Sequence, residues 1–192
     1  MSDNYITIVS GMPRSGTSMM MQMLVAGGIP ALTDQIREAD HDNLQGYYEF
    51  EPVKRTKHDS SWLKNADGKV VKVIYMLLYD LPAACSYRVI FMKRSLDEVL
   101  ASQHKMLQRR GEAGASVPDN KLREIFEGQL QKVDTWLDEQ PNFEVLTIEH
   151  RDVLSDPAGQ ANQINNFLGA SLDVNAMAAV VDPALYRQRG DN

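Results

Sequence analysis

The chain has 192 residues, 43% of them hydrophobic and 24% charged, a globular composition that excludes a disordered or collagen-like chain. Its net charge of −6 argues against coating nucleic acid, and its single cysteine, Cys85, excludes an intrachain disulfide framework and a cysteine zinc cluster. No apolar run approaches the roughly 20 residues of a membrane span, and Met1-Ser2-Asp3-Asn4 lacks the basic start of a secretory signal, so the expectation is a cytoplasmic chain with no membrane partner.

At roughly 150 residues per domain, residues 1–192 read as one domain. Residues 5–10 (YITIVS) are a short β-branched run that stops at a glycine, the pattern of a buried strand. Residues 17–26 follow as a methionine-dense helix ended by Gly27-Gly28. Residues 28–50 read as loop. Residues 70–75 and 87–92 are two further strands. Residues 96–110 form a helix with Leu96, Val99, Leu100 and Leu107 on one face, and Ser95 with Glu98 reads as its capping box. After a break at residues 111–118, Leu122, Ile125, Phe126, Leu130, Val133 and Leu137 mark the next helix. A strand at residues 143–148 and a helix at 158–168, closed by Gly169, complete the pattern. Strands separated by helices predict an α/β fold with three α/β/α layers around a mainly parallel sheet. Such sheets hold ligands at the carboxyl ends of their strands.

Gly11-Met12-Pro13-Arg14-Ser15-Gly16-Thr17-Ser18 lies at such an end, between strand and helix. The spacing is that of a phosphate-binding loop, in which glycines let backbone N–H groups turn toward an anion and the helix N-terminus adds partial positive charge. A nucleoside-triphosphate loop carries lysine after its second glycine. This chain has Thr17 there, and its cation sits earlier, at Arg14.

Pro13-Arg14-Ser15-Gly16-Thr17-Ser18 resembles the donor loop of the sulfotransferases that use 3′-phosphoadenosine 5′-phosphosulfate (PAPS). Two further segments carry the resemblance. Arg94 follows a strand and Ser102 lies eight residues later on the next helix. Asp152-Val153-Leu154-Ser155-Asp156-Pro157 follows another strand and leads to a helix ending Phe167-Leu168-Gly169. The resemblance runs from about residue 6 to residue 169 and implies a P-loop, sulfotransferase-like topology. It implies PAPS as donor, adenosine 3′,5′-bisphosphate (PAP) as product, and no metal. It further implies that Arg14, Ser15, Gly16, Thr17 and Ser18 hold the 5′ end, while Arg94 and Ser102 grip the 3′-phosphate. The charge pattern agrees: residues 88–110 hold six Lys or Arg (88, 93, 94, 105, 109, 110) against two acids (97, 98).

The implied reaction is in-line attack on sulfur by a hydroxyl or amine of a small-molecule acceptor, with Arg14 as the cation that meets charge on the bridging oxygen. Lys72 matches the lysine of the family's K-T-H-L-P stretch, but Ile74 stands where that stretch has its histidine base. Other branches use a carboxylate about twenty residues past the loop cation. Asp34 sits there, with Glu38, His41 and Glu49 ranked after it. Tyr47, Tyr48, Phe50 and Trp62 bracket the region as an acceptor pocket or as plain packing. Tyr186-Arg187-Gln188-Arg189-Gly190 is similar to a basic C-terminal segment that touches the 3′-phosphate in relatives, and reads equally as a frayed tail. Two other readings stay open. One is a P-loop small-molecule kinase with Asp80 as its magnesium ligand; the other is a nucleotide-binding module that has lost its base. The acceptor and the oligomeric state, a homo-oligomer included, are open at this level.

Overall fold

Strands apolar on both sides must be covered on both sides, and this requirement organises the chain. The structure is a computed structural model and describes residues 5–34, 48–111 and 117–182. Strands β1 (Tyr5–Gly11), β2 (Val70–Lys72), β3 (Ser86–Lys93) and β4 (Phe143–Glu149) form one parallel sheet in the order β2-β1-β3-β4.

Side chains alternate between two apolar layers, as the two-residue period of a strand dictates. Ile6, Ile8, Val89 and Phe91 enter one layer, and Val9, Ile90, Met92 and Ile148 enter the other. The first layer is closed by helices α2 (Leu96–Arg110) and α3 (Asp119–Asp138), through Val99, Val133 and Leu137. The second is closed by α1 (Thr17–Ala26), α4 (His150–Ser155), α5 (Pro157–Leu168) and α6 (Val174–Ala179). Met20, Met21, Met23 and Leu24 of α1 are fully enclosed there. The α/β/α expectation is met.

Two local expectations need correction. The strand expected over residues 70–75 stops at Lys72, and residues 75–80 turn into a 3₁₀ segment. Tyr75 and Leu78 are buried by that turn, and the Tyr75 hydroxyl donates to Gln129 Oε1 on α3. Two further 3₁₀ segments, Glu51–Arg55 and Ser61–Asn65, follow the expected loop, where no element was predicted. The Ser95–Glu98 capping box is not formed: Ser95 is the N-cap residue of α2, its side chain makes no capping bond, and Glu98 is engaged by Arg94.

The order of strands locates the crevice. The helix after β1 packs on one face and the helix after β3 packs on the other, although these strands are neighbours. The chain therefore splits apart above the carboxyl ends of β1 and β3, which is where open parallel sheets bind ligands. Gly11, the last residue of β1, makes the split possible. Its φ is 145°, and a Cβ there would lie 2.6 Å from the Met92 carbonyl oxygen and 2.7 Å from Ser15 Oγ. Gly11→Ala should lose about 2–4 kcal/mol in a denaturant titration, because backbone must move to admit it. Gly128→Ala, mid-helix with nothing within 4 Å, should be neutral or gain up to about 1 kcal/mol. Equal effects at the two positions would contradict this packing of β1 on β3.

Candidate active site

The loop after β1 is shaped by backbone conformations that glycine favours. Gly16 is left-handed, with φ of 101°, and is the N-cap of α1. It has no side chain with which to cap the helix. The first-turn N–H groups of α1 therefore point out of the helix end without intrahelical acceptors. Arg14 also has positive φ, 73°, a conformation that costs a non-glycine residue about 1 kcal/mol. The Ser15 N–H turns back to the Met12 carbonyl at 3.1 Å. Ser15 Oγ is buried and has no hydrogen-bond partner among the described residues, and neither has the buried Ser10 Oγ of β1.

The two arginines expected at opposite ends of a donor are joined in one network. Arg14 Nε donates to Ser102 Oγ at 2.9 Å, from the loop to the second turn of α2. Arg94 Nη1 donates to the Arg14 carbonyl oxygen at 3.1 Å, and Arg94 Nε to Glu98 Oε2 at 2.8 Å. The Arg94 and Glu98 side chains are each only 10% exposed, so this ion pair is held in a low-dielectric setting. A cavity of about 250 Å³ opens beside them, lined among others by Ser15, Lys93, Arg94, Ser95 and Glu149.

The basic band expected over residues 88–110 is divided. Arg88 lies six residues before Arg94 on an extended strand, roughly 20 Å away. It is spent at the other end of the sheet, on Glu144 at 3.0 Å, the Leu168 carbonyl at 2.8 Å and the face of Tyr5. Lys93 pairs with Asp134 of α3 at 2.7 Å.

Residues 30–34 run along the outer edge of β2, with Ala31 in parallel register with Val70. That direction carries Asp34 toward the carboxyl end of the sheet, where the loop is. Asp34 Oδ2 accepts the Glu51 N–H at 2.6 Å, and the Glu49 carbonyl accepts from Thr33 Oγ1 at 2.8 Å. Asp34 and Glu49 thus occupy one corner, with one Asp34 oxygen committed to the backbone. Lys72 ends β2 in register with Val9 and has the strand parity of Val70, whose layer also holds α1.

The aromatic bracket does not form one pocket. Trp62 is enclosed, with its Nε1 donating to Thr56 Oγ1 at 3.0 Å and Phe50 against its ring. Tyr48 packs on the opposite apolar layer, and burial raises its phenol pKa. Asp80 ends a 3₁₀ segment and not a strand, so it is not the strand-end acid that the kinase reading expects of it. Glu38, His41, Tyr47, Arg187 and Arg189 lie outside the described residues.

His150 is a residue that sequence reasoning missed. It is the first residue of α4, directly after β4, and is 8% exposed. A Cβ on Gly16 would lie 2.6 Å from its Cδ2, so the imidazole fills the space beneath the loop's second glycine. Burial, with Arg94 adding to it and Glu98 opposing, brings its pKa down to about 4. The available signal was positional: it follows the carboxyl end of a parallel strand. Among the described residues, no group of three or more His, Cys, Asp or Glu could hold a metal ion, and no helix is long and apolar enough to cross a membrane.

Residues 6–188 match the family described as the sulfotransferase domain. Solved structures with a similar fold include the sulfotransferase domain from the Synechococcus PCC 7002 olefin synthase, at 15% identity and a TM-score of 0.56, covering 97% of this chain and 81% of that one. The sulfotransferase domain from the curacin biosynthetic pathway gives 16% identity and a TM-score of 0.50, covering 98% and 79%. The mouse sulfotransferase SULT7A1 complexed with PAP gives 17% identity and a TM-score of 0.52, covering 94% and 63%. No curated protein matches the sequence.

A buried imidazole with a depressed pKa has a definite stability signature. The unfolded chain binds a proton near the ordinary histidine value of about 6.5, whereas the folded chain resists it until about pH 4. Stability from His150 is therefore full above about pH 6.5 and is lost as pH falls toward 4. Urea unfolding should show a loss of up to about 3 kcal/mol across that window relative to His150→Gln. Parallel pH profiles for the two proteins would remove the imidazole from its buried position.

Proposed function

From a chain that belongs to the sulfotransferase domain family, we propose transfer of a sulfuryl group from PAPS to a hydroxyl or amine of a small-molecule acceptor, with PAP as product and no metal ion. One observation carries this reading: Arg94 is hydrogen bonded to the backbone of the very loop whose Arg14 reaches Ser102. A ligand with anionic groups at two separated points would meet both corners of one rigid unit. A doubly phosphorylated adenosine has that shape. The free loop hydroxyl of Ser15 and the uncapped end of α1 suit an anion at the 5′ side.

The donor supplies a sulfuryl group whose S–O bond to phosphate breaks with the electron pair remaining on phosphate. Backbone N–H groups of Gly16, Thr17 and Ser18, with the Ser15, Thr17 and Ser18 hydroxyls, would hold that phosphate, the Ser15 N–H being turned to the Met12 carbonyl. Arg14 would offer its guanidinium to the bridging oxygen, where negative charge grows only as the bond breaks. A fixed cation there acts on the transition state more than on the ground state. Arg94 and Ser102 would hold the 3′-phosphate, with Glu98 keeping the Arg94 fork aimed. Lys72, at the end of β2 in register with Val9, would be a further cation toward the 5′ side. The acceptor's oxygen or nitrogen forms the new bond to sulfur, and its proton passes to a carboxylate. Asp34 is the first candidate, since one oxygen is fixed by the Glu51 amide and the carboxylate is thereby oriented. Glu49 is its neighbour and the alternative. The kinase reading is weaker, with Thr17 at the lysine position and Asp80 away from a strand end.

PAP at 100 times its Kd should raise unfolding free energy by about 2.7 kcal/mol, without metal, and ATP with magnesium should not. Stabilisation by ATP–Mg²⁺ in preference to PAP would turn the assignment to phosphoryl transfer. Arg94→Ala should weaken PAP by roughly 10–100-fold more than adenosine 5′-phosphate, because both nucleotides feel a slackened loop but only PAP loses a charged contact. Equal losses would take Arg94 away from the 3′-phosphate. Arg14→Ala should lower kcat by roughly 10²–10³-fold with a smaller change in PAP affinity, measured by transfer of labelled sulfuryl to an accepted substrate. Unchanged turnover would place the transition-state cation elsewhere.

A further inference from the structure

We propose that His150 is a proton-linked positioning residue of the donor loop: neutral in the ligand-free protein, it takes a proton from solvent when a phosphate dianion occupies the amides above it. The inference rests on the sulfotransferase reading and deepens it.

Three observations carry the proposal. The first is contact. The ring lies where a side chain on Gly16 would be, so it touches the peptide that turns the loop into α1. Any anion on the amides of residues 16–18 is separated from the imidazole by little more than that peptide. The second is enclosure. His150 is 8% exposed, so a charge placed there is weakly screened by water. The third is the balance of neighbouring charges. It faces Arg94 from the β3–α2 junction and Glu98 from α2, which neutralise one another at 2.8 Å. In the loop, the Arg14 guanidinium is directed to Ser102. On its own segment Glu149 precedes it, and Arg151 and Asp152 follow, facing one another 3.5 Å apart with side chains 80% and 48% exposed. With the surrounding charges nearly balanced, burial keeps the ring neutral, and a large new negative charge tips it.

Sulfuryl transfer supplies that charge at the right place and time. The loop phosphate of a phosphosulfate carries one negative charge. When the S–O bond breaks, the electron pair stays on the phosphate, which becomes a dianion in the same cradle. The acceptor's proton goes to its own base; the His150 proton comes from solvent. His150 therefore answers the leaving-group charge through the loop without touching the reacting atoms, and it favours the product over the donor as pH falls.

The test is the protonation state of the ring itself. In ¹⁵N-labelled wild-type protein at about pH 6.5, the His150 ring nitrogens should give the signals of a neutral tautomer alone and of an imidazolium with saturating PAP. Ring signals are assigned by correlation to the side chain's own Hβ protons, so no variant is needed for this readout. In calorimetry, the PAP affinity of wild type relative to His150→Gln should rise about tenfold from pH 8 to pH 6, a comparison that cancels the titration of the nucleotide's own phosphates. A ring that stays neutral in the PAP complex, or a flat affinity ratio, overturns the proposal while leaving the sulfotransferase reading intact. A wild-type protein that does not bind PAP overturns both.

Discussion

The site depends on one buried guanidinium. Arg94 stands at the point where β3 hands over to α2, and it grips in two directions. One nitrogen holds Glu98 a turn further along the helix, and another holds the carbonyl of Arg14 in the loop across the crevice. The helix after β1 and the helix after β3 pack on opposite faces of the sheet, and the loop is tied to the second of them by Met12, which shares the apolar layer of Leu96 and Val99, and by this hydrogen-bonded cation. With both members of the ion pair about nine-tenths covered, leaving either partner alone would expose an uncompensated buried charge, which typically costs 3–5 kcal/mol. That penalty keeps the guanidinium in its place and makes it a fixed point for whatever anion enters.

The same contact accounts for a strained backbone. Arg14 sits in a left-handed conformation that its side chain disfavours, and its carbonyl is the group that Arg94 holds. The strain turns the Arg14 side chain toward Ser102 and the following amides toward the helix end. Gly11 and Gly16 supply the close approaches on either side: one to the Met92 carbonyl, the other to the His150 ring. The loop is thus supported from below by an imidazole, from the side by a guanidinium, and by the first turn of α1. Such preorganisation is what a charge-stabilising site requires, since dipoles already in place need not reorganise as charge develops.

Much of this was legible in the sequence. The strand over residues 5–10, the glycine spacing and the helix opening at Thr17 are locally consistent, so β1, the loop and α1 were readable from turn chemistry and periodicity. Arg94 and Ser102 were readable through a family resemblance, but their division of labour was not. Ser102 takes its bond from Arg14, and Glu98, read as a cap, serves Arg94. The run Val73-Ile74-Tyr75-Met76-Leu77-Leu78 is apolar throughout, and periodicity cannot separate strand from turn in such a run. Tertiary burial of Tyr75 and Leu78 decided it. Arg88 looked like a member of the site because it is near Arg94 in number, but an extended strand carries six residues the length of the sheet. His150 carried only its position after a strand end as a signal, because a lone histidine does not reveal what will pack on it.

The most direct test of the central claim is a crystal structure of the protein with PAP. The account predicts the 3′-phosphate within hydrogen-bond distance of the Arg94 guanidinium and the Ser102 hydroxyl, and the 5′-phosphate on the amides of residues 16–18. A nucleotide seated elsewhere, or one whose 3′-phosphate touches neither Arg94 nor Ser102, would contradict it.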